Sequence, residues 1–227
     1  KEAFHTVSDR WAAAFHWNIG PITGLLRRER FYHWPERRNE ISRGLSELLS
    51  EQDTSRLEAD RFAKSSVAVQ GLPALERLLF GQTDVSTNAF ACQVGQAIAA
   101  NLGEIAQGTA REWRDDVWPV VEAGGDHPLY FDTPQDLANR LFTDYLTAFT
   151  LLKDQKLLAI AGPDAAKAKP MKAEARRSGR SNRTLASNLT ALAREGDHWA
   201  GLSSTADQAA LKALFDKALT TLDSLPP

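Results

Sequence analysis

The pattern of apolar and polar residues along this chain is helical almost throughout. Near the N-terminus, apolar residues recur every three or four positions, as on one face of an amphipathic helix: Phe4, Val7, Trp11, Phe15 and Ile19. A Gly-Pro pair at residues 20–21 then interrupts the pattern. No convincing alternation of apolar and polar residues, the pattern of a β-strand, occurs anywhere in the sequence. The sequence therefore predicts an all-α protein.

Further helices follow the same periodicity. Two long ones are predicted, the first from residue 86 to Pro119, which should close it, and the second across residues 137–157. Further helices are predicted at 41–49, 57–63, 173–195 and 206–223. Loops are predicted at 122–134, rich in Gly, Asp and Pro, and at 161–172. We therefore expect two helical bundles, an N-terminal domain of residues 1–121 and a C-terminal domain of residues 122–227.

Composition narrows the function classes. The chain has 227 residues, 43% of them hydrophobic and 25% charged, which is ordinary for a globular protein. Its formal net charge of −2 provides no global field that attracts nucleic acid, so no nucleic-acid partner is expected. No apolar run is long enough to span a bilayer. A single cysteine, Cys92, excludes an intramolecular disulfide and a Cys-rich metal site.

The chain begins at Lys1 without an initiator methionine. We therefore expect that a segment has been removed from its front. A signal peptide or lipoprotein leader is one candidate for that segment, and editing of the expressed sequence is the other.

The most informative stretch covers residues 66–80. Gly71 can adopt backbone conformations that other residues avoid, and Pro73 suits the first turn of a helix, where a missing N–H costs nothing. Glu76 is expected within that first turn, where the helix dipole favours a carboxylate. An apolar face follows, made of Leu75, Leu78 and Leu79. The stretch predicts a turn that leads into a short helix.

A second stretch places polar residues on a predicted buried face. Spacings of three and four residues bring six side chains to one side of the 173–195 helix: Glu174, Ser178, Ser181, Leu185, Asn188 and Leu192. Buried polar groups need partners, so these side chains either form a structural network between helices or line a polar pocket. Three arginines of the same helix lie on another face, which is either a solvated basic face or an anion site: Arg176, Arg180 and Arg183.

Histidines offer further candidate chemistry. His33 lies in the aromatic segment 31–36, where it either packs within an aromatic plug or serves as a metal ligand or general base. The other histidines are scattered and form no His-Glu-x-x-His pair. No Gly-x-Ser-x-Gly elbow and no phosphate-binding Gly-Lys-Ser/Thr loop occurs.

Four separated segments, in the same order, resemble the imelysin-like family of bacterial envelope proteins. They are the opening helix with its Gly-Pro turn (11–22), an aromatic segment with Trp34-Pro35 (31–39), the stretch 71–80, and a Glu/Arg-Ser segment (174–189). The family signature is Gly-x-His-x-x-Glu. This chain matches it at Gly71 and Glu76 but has Pro73 at the histidine position.

The resemblance implies two helical-bundle halves packed around an inter-bundle cleft, with the functional site near the signature. It implies an exported bacterial protein, periplasmic or held by a lipid at the outer face of the cell envelope, and often associated with iron uptake. The family takes its name from a metallopeptidase activity. Relatives usually continue beyond the point where this sequence stops, so the C-terminal bundle is expected to be incomplete.

The resemblance also implies a set of site residues. Ligand-binding candidates are Gly71, Pro73, Glu76, Trp34, Arg177, Ser178 and Ser181, and candidate metal ligands are Glu76 and His33. Glu76 is expected within direct or one-water reach of Ser178, Ser181 or a nearby arginine, because each of these groups needs a polar partner.

Pro73 weakens the catalytic interpretation. A proline cannot bind a metal or transfer a proton, and one carboxylate cannot hold zinc, which takes three or four ligands. No catalytic residue is therefore assigned. The first hypothesis is a binding protein for a small ligand or a metal ion, iron or zinc, that works with other iron-uptake components. The alternatives are a metal-dependent peptidase and a structural or partner-docking domain with a vestigial site.

Overall fold

A computed structural model describes residues 1–81, 85–201 and 204–224 of the chain. Within these ranges the structure is mostly α-helical and contains no β-strand, only an isolated bridge between His127 and Phe131. The all-α prediction is confirmed. No helix among the described residues is long and apolar enough to cross a membrane. Residues 225–227, where the sequence predicts an unfinished bundle, lie outside the described ranges.

The four longest helices all lie after residue 88 among the described residues. Their bounds are α1 Glu2–Ala14, α2 Arg27–Phe31, α3 Glu40–Glu51, α4 Ala59–Phe62, α5 Val67–Gln70, α6 Leu72–Phe80, α7 Ala89–Glu112, α8 Trp118–Glu122, α9 Pro134–Thr150, α10 Ala159–Ala161, α11 Ser181–Ala200 and α12 Thr205–Asp223. Short 3-10 helices connect several of them, at Gly20–Leu26, Thr54–Leu57, Ala165–Lys167 and Pro170–Lys172. The helix predicted at 57–63 is thus divided between a 3-10 turn and α4.

One compact unit joins the two ends of the chain, Lys1–Trp17 and the residues from Leu141 onward. Helix α1 packs against α11, and α11 packs against α12. Their apolar faces share one core, made of Phe15, Tyr145, Ala148, Leu152, Leu192 and Phe215. This grouping differs from a division at residue 121, because the apolar face of α1 is covered by helices from the far end of the sequence.

The other compact unit comprises Asn18–Arg140. Its long helix α7 contacts α2, α3, α4, α5 and α6. The side chains of α7 that face these helices are almost completely buried: Ala91, Val94, Ile98, Leu102 and Ile105. This unit contains the signature stretch, which forms α5, Gly71 and α6.

Both long helices continue through a wider, π-helical turn. Helix α7 passes through Trp113–Val117 into α8, and α9 passes through Leu151–Leu158 into α10. Pro119 does not close the first of these runs as predicted. It lies in the first turn of α8, where the missing N–H does not break the helix.

The helix predicted from residue 173 begins only at Ser181. Residues 174–179 form turns, in which Ala175 has φ 52° and Gly179 has φ 68°. A right-handed helix requires negative φ, so these two residues exclude the helical stripe over 174–180. Glu174 and Ser178 therefore do not share a helix face with Ser181 and Asn188.

Candidate ligand site at the signature helix

Gly71 lies at the junction of α5 and α6. Its φ of −101° and ψ of −179° are extended, a conformation open to any residue, so the expectation of an unusual backbone shape is wrong. Residue 71 is a glycine because neighbouring backbone atoms leave no room for a side chain. A Cβ at this position would lie 2.7 Å from the carbonyl oxygen of Phe31 and 2.9 Å from that of Arg30. Gly71 thus allows the signature to approach the backbone of α2.

Helix α6 carries the remaining signature residues. Pro73 lies in its first turn, as predicted. Glu76 lies further along, beyond the first turn, so the expected interaction with the N-terminal helix dipole is not made there. The Glu76 side chain is buried, at 7% exposure, on the same helix as buried Leu72 and Leu78. The structure therefore places a carboxylic acid in a largely apolar helix surface.

The aromatic segment lies beside α6. The Arg77 guanidinium forms a salt bridge with Glu36 and donates hydrogen bonds to Ser42 and, at 3.1 Å, to Asn39. The second oxygen of Glu36 accepts a hydrogen bond from the Ile41 backbone N–H at 2.8 Å. Together with the contact between Gly71 and Phe31, these bonds place the segment 31–39 next to the signature.

His33 makes a contact that its sequence neighbourhood did not indicate. Its Nε2 lies 3.0 Å from the Glu40 carboxylate at the start of α3, and the imidazole is 23% exposed. Trp34, beside it, is half-buried. In the part of the chain that the structure describes, no three His, Cys, Asp or Glu side chains converge on a common metal position. The roles of His33 and Glu76 as metal ligands stay predictions.

A buried polar network adjoins Gly71 and was missed from the sequence. Arg30 Nε donates to the Gln70 side-chain oxygen at 2.8 Å, and Arg30 Nη2 donates to Asn101 Oδ1 at 2.9 Å. Gln70 is 1% exposed and Asn101 is 9% exposed. Burial, and the positive charge of Arg27, lower the pKa of Arg30. Asn101 was detectable in principle, because it is a polar residue on the buried face of α7.

A second arginine of α2 is fully paired. Arg27 forms a bidentate salt bridge with Glu112, with Nη1 at 2.8 Å from one carboxylate oxygen, and it also donates to the Pro21 carbonyl at 3.0 Å. The hydrogen bond between the two side chains raises the pKa of Arg27 and lowers that of Glu112. The charge of Arg27 is therefore neutralised within the protein.

The other predicted site residues belong to the unit that contains α11. Ser178 Oγ donates to the Ala175 carbonyl at 3.0 Å, and Ser181 Oγ donates to the Glu174 carbonyl at 2.6 Å. Both hydroxyls thus stabilise the local turns that precede α11. Arg177 is half-buried in the same turns.

Asn188 extends this polar arrangement into the core. Its Nδ2 donates to the Ala12 carbonyl of α1 at 2.6 Å, and its Oδ1 accepts from Lys156 at 2.8 Å. Of the two interpretations of the polar residues, these bonds favour a structural network between helices. Arg180, expected either on a solvated basic face or in an anion site, is paired with Asp9 at 2.5 Å.

Comparison with known proteins decides the family. The model of the imelysin peptidase family matches residues 1–225. The chain belongs to the imelysin family. Among solved structures, it resembles an imelysin-like protein from Psychrobacter arcticum 273-4, with a TM-score of 0.70 at 18% sequence identity. The match covers 99% of this chain and 69% of that one, and at this identity it shows a common fold. No curated protein sequence matches the chain significantly.

Gly71 lies at the start of α6, Pro73 in its first turn and Glu76 in its middle. The ligand-binding roles that the family resemblance implies for these residues stay predictions. The expected contact of Glu76 with Ser178, Ser181 or a nearby arginine stays a prediction, because Glu76 and residues 174–181 belong to different compact units.

Proposed function

We propose that this imelysin-family chain is an exported binding protein, which holds a small ligand or a metal ion at the signature segment and does not hydrolyse peptides. The observation that carries the proposal is Pro73 in the first turn of α6, at the position of the signature histidine. Zinc in a catalytic site takes three protein ligands and a water. Pro73 supplies none of them.

Glu76 supports a binding role for this segment. It places a buried carboxylate in the signature segment, and carboxylate oxygens are among the ligands that bind zinc in proteins. The buried Gln70 and Asn101 beside Gly71 form a hydrogen-bonded polar network with Arg30 next to this segment. By family resemblance we assign the protein to the periplasm or the outer face of the envelope, and to iron uptake with other components of that system.

Metal content and peptidase activity test this proposal together. The purified protein is measured by elemental analysis, titrated with iron and with zinc, and incubated with a peptide substrate with and without chelator. We expect no chelator-sensitive cleavage. Stoichiometric zinc together with such cleavage would establish the metal-dependent peptidase and overturn the proposal.

A single substitution tests whether the surroundings of Glu76 can still form a zinc site when a histidine is restored. Pro73→His restores the imidazole on the same helical face as Glu76, three residues away, and should raise the affinity for zinc. Pro73→Ala is the matched control, since it removes the proline ring without adding a ligand. Equal zinc affinity in both variants would show that the surroundings of Glu76 have diverged beyond the loss of the histidine.

A further inference from the structure

Arg30 differs from Arg27 and Arg77 in its partners. Its guanidinium donates to two amide oxygens, those of Gln70 and Asn101, at 2.8 and 2.9 Å. Within residues 1–81, 85–201 and 204–224, no carboxylate forms an ion pair with Arg30. Arg27 and Arg77, by contrast, each form a salt bridge with a glutamate. Arg30 thus keeps a full positive charge that neutral groups orient but do not balance.

The side-chain amides of Gln70 and Asn101, which accept from Arg30, are fixed by further hydrogen bonds. Asn101 Nδ2 donates to the Gln70 side-chain oxygen at 3.3 Å, and Gln70 Nε2 donates to the backbone carbonyls of Ser65 and, at 3.4 Å, Ala63. Both amides are therefore fixed in orientation, with their oxygens toward the guanidinium. A guanidinium in such a frame loses little freedom when it binds a further group, which is the condition for a preorganised site.

The charge surroundings of Arg30 favour an anion. Partial burial removes water that would otherwise stabilise the Arg30 cation. A desolvated cation without a counter-charge is unfavourable unless an anion supplies that charge. The donors of the guanidinium that the amides leave unused match the paired oxygens of a carboxylate or phosphate group.

We infer that Arg30 binds a small oxyanion, a carboxylate or phosphate group, next to the signature segment. Two observations place the Arg30 guanidinium next to the signature segment. Its partner Gln70 directly precedes Gly71 in the sequence, and the Arg30 carbonyl lies against Gly71. The inference rests on the proposed binding function and names the chemical class of ligand, an anionic one. Arg30 is then the residue that selects the charge of the ligand.

Calorimetric titration with inorganic phosphate and, separately, with citrate tests this inference at low ionic strength, with chloride as the reference anion. Arg30→Gln should lower the affinity for the anion by about tenfold or more, because a charge-assisted hydrogen bond is lost. Arg43→Gln is the matched control. It makes the same change of charge on an exposed position of α3 in the same compact unit and should leave the affinity unchanged.

Asn101→Asp provides a second variant that keeps Arg30 in place. The new carboxylate is nearly isosteric with the amide and lies where Oδ1 already accepts from Arg30. It should neutralise the guanidinium internally, so that phosphate and citrate binding fall while the helical circular dichroism and the melting temperature are kept.

Two results would overturn the inference. One is a wild-type protein that binds neither phosphate nor citrate above the chloride reference. The other is binding that Arg30→Gln and Asn101→Asp leave unchanged. Either result leaves the proposed function standing, since that proposal fails only on zinc together with chelator-sensitive peptide cleavage.

Discussion

The ammonium group of Lys156 lies 2.7 Å from the carboxylate of Glu174, and both side chains are buried, at 3% and 6% exposure. Lys156 Nζ also donates to Asn188 Oδ1 at 2.8 Å and lies 4.2 Å from the centre of the Phe15 ring. One charged group thus joins the π-helical turn after α9, the turns before α11, α11 itself and the end of α1. The cluster connects elements from the two ends of the chain within one compact unit.

Removal of Lys156 should therefore be costly. Lys156→Met leaves the Glu174 carboxylate buried without its cation, and such a loss typically destabilises a protein by about 3–5 kcal/mol. The double variant Lys156→Met with Glu174→Leu should recover much of the lost stability, because no unpaired charge then stays in the core. Denaturant unfolding measures both variants.

Lys212→Met is the control for this experiment. It breaks an exposed i,i+4 pair with Asp216, 3.1 Å long, and should cost less than about 1 kcal/mol. A Lys156→Met variant as stable as this control would contradict the structural role of the buried cluster.

Gly71→Ala should destabilise the protein, because the new methyl group meets backbone atoms that cannot rotate away. Forced overpacking of this kind costs about 1–3 kcal/mol. Gly103→Ala on α7 is the matched control, since nothing lies within 4 Å of its Cβ position. An alanine in a helix is about 1 kcal/mol more favourable than a glycine, so the control should be stabilised. A lower melting temperature for Gly71→Ala and a higher one for Gly103→Ala would confirm both expectations. An unchanged melting temperature for Gly71→Ala would disprove the close approach of Gly71 to α2.

Because the pKa of Tyr145 is raised, we expect the protein to lose folding stability at high pH. Burial, followed by the negative charges of Glu195 and Asp197, raises the pKa of Tyr145 to about 12. Its ordinary pKa is about 10, so between pH 10 and 12 the unfolded chain releases a proton that the folded protein keeps. The stabilisation is complete below pH 10 and falls by about 2–3 kcal/mol as the pH rises to 12.

Tyr145→Phe isolates this contribution. The hydroxyl is buried with no hydrogen-bond partner among the described residues, so its removal should not destabilise the protein at pH 7. Stability curves of the two proteins should separate only above pH 10, where the variant loses less. Parallel curves through that range would show that Tyr145 ionises normally.

His33→Ala distinguishes a ligand from a packing residue. The imidazole is partly exposed and pairs with Glu40, so its loss should cost less than about 1 kcal/mol of stability. If His33 contributes to binding, the affinity for iron or zinc should fall. Glu40→Gln is the control, because it removes the partner and keeps the imidazole. Unchanged affinity with a sharp drop in melting temperature would make His33 a packing residue.

The sequence by itself determined the helical class and most of the long helices. Periodicity is a local property, and the apolar faces of α3, α7 and α9 are visible in consecutive residues. The place of Pro73 in the first turn of α6 was also a local inference. The family followed from short motifs in a fixed order, and Pro73 was visible as a departure from one of them.

Only the tertiary structure decided which helices form each compact unit and which polar groups meet. α1 packs with helices from the opposite end of the chain, and no local pattern encodes that partner. The turn at Ala175 and Gly179 overrides a spacing that suits a helix, because the backbone there takes positive φ. Lys156 with Glu174, and Arg30 with Gln70 and Asn101, are brought together across 18 to 71 positions. Sequence periodicity reports which face of a helix is buried, whereas the partners on that face depend on the packing of the whole unit.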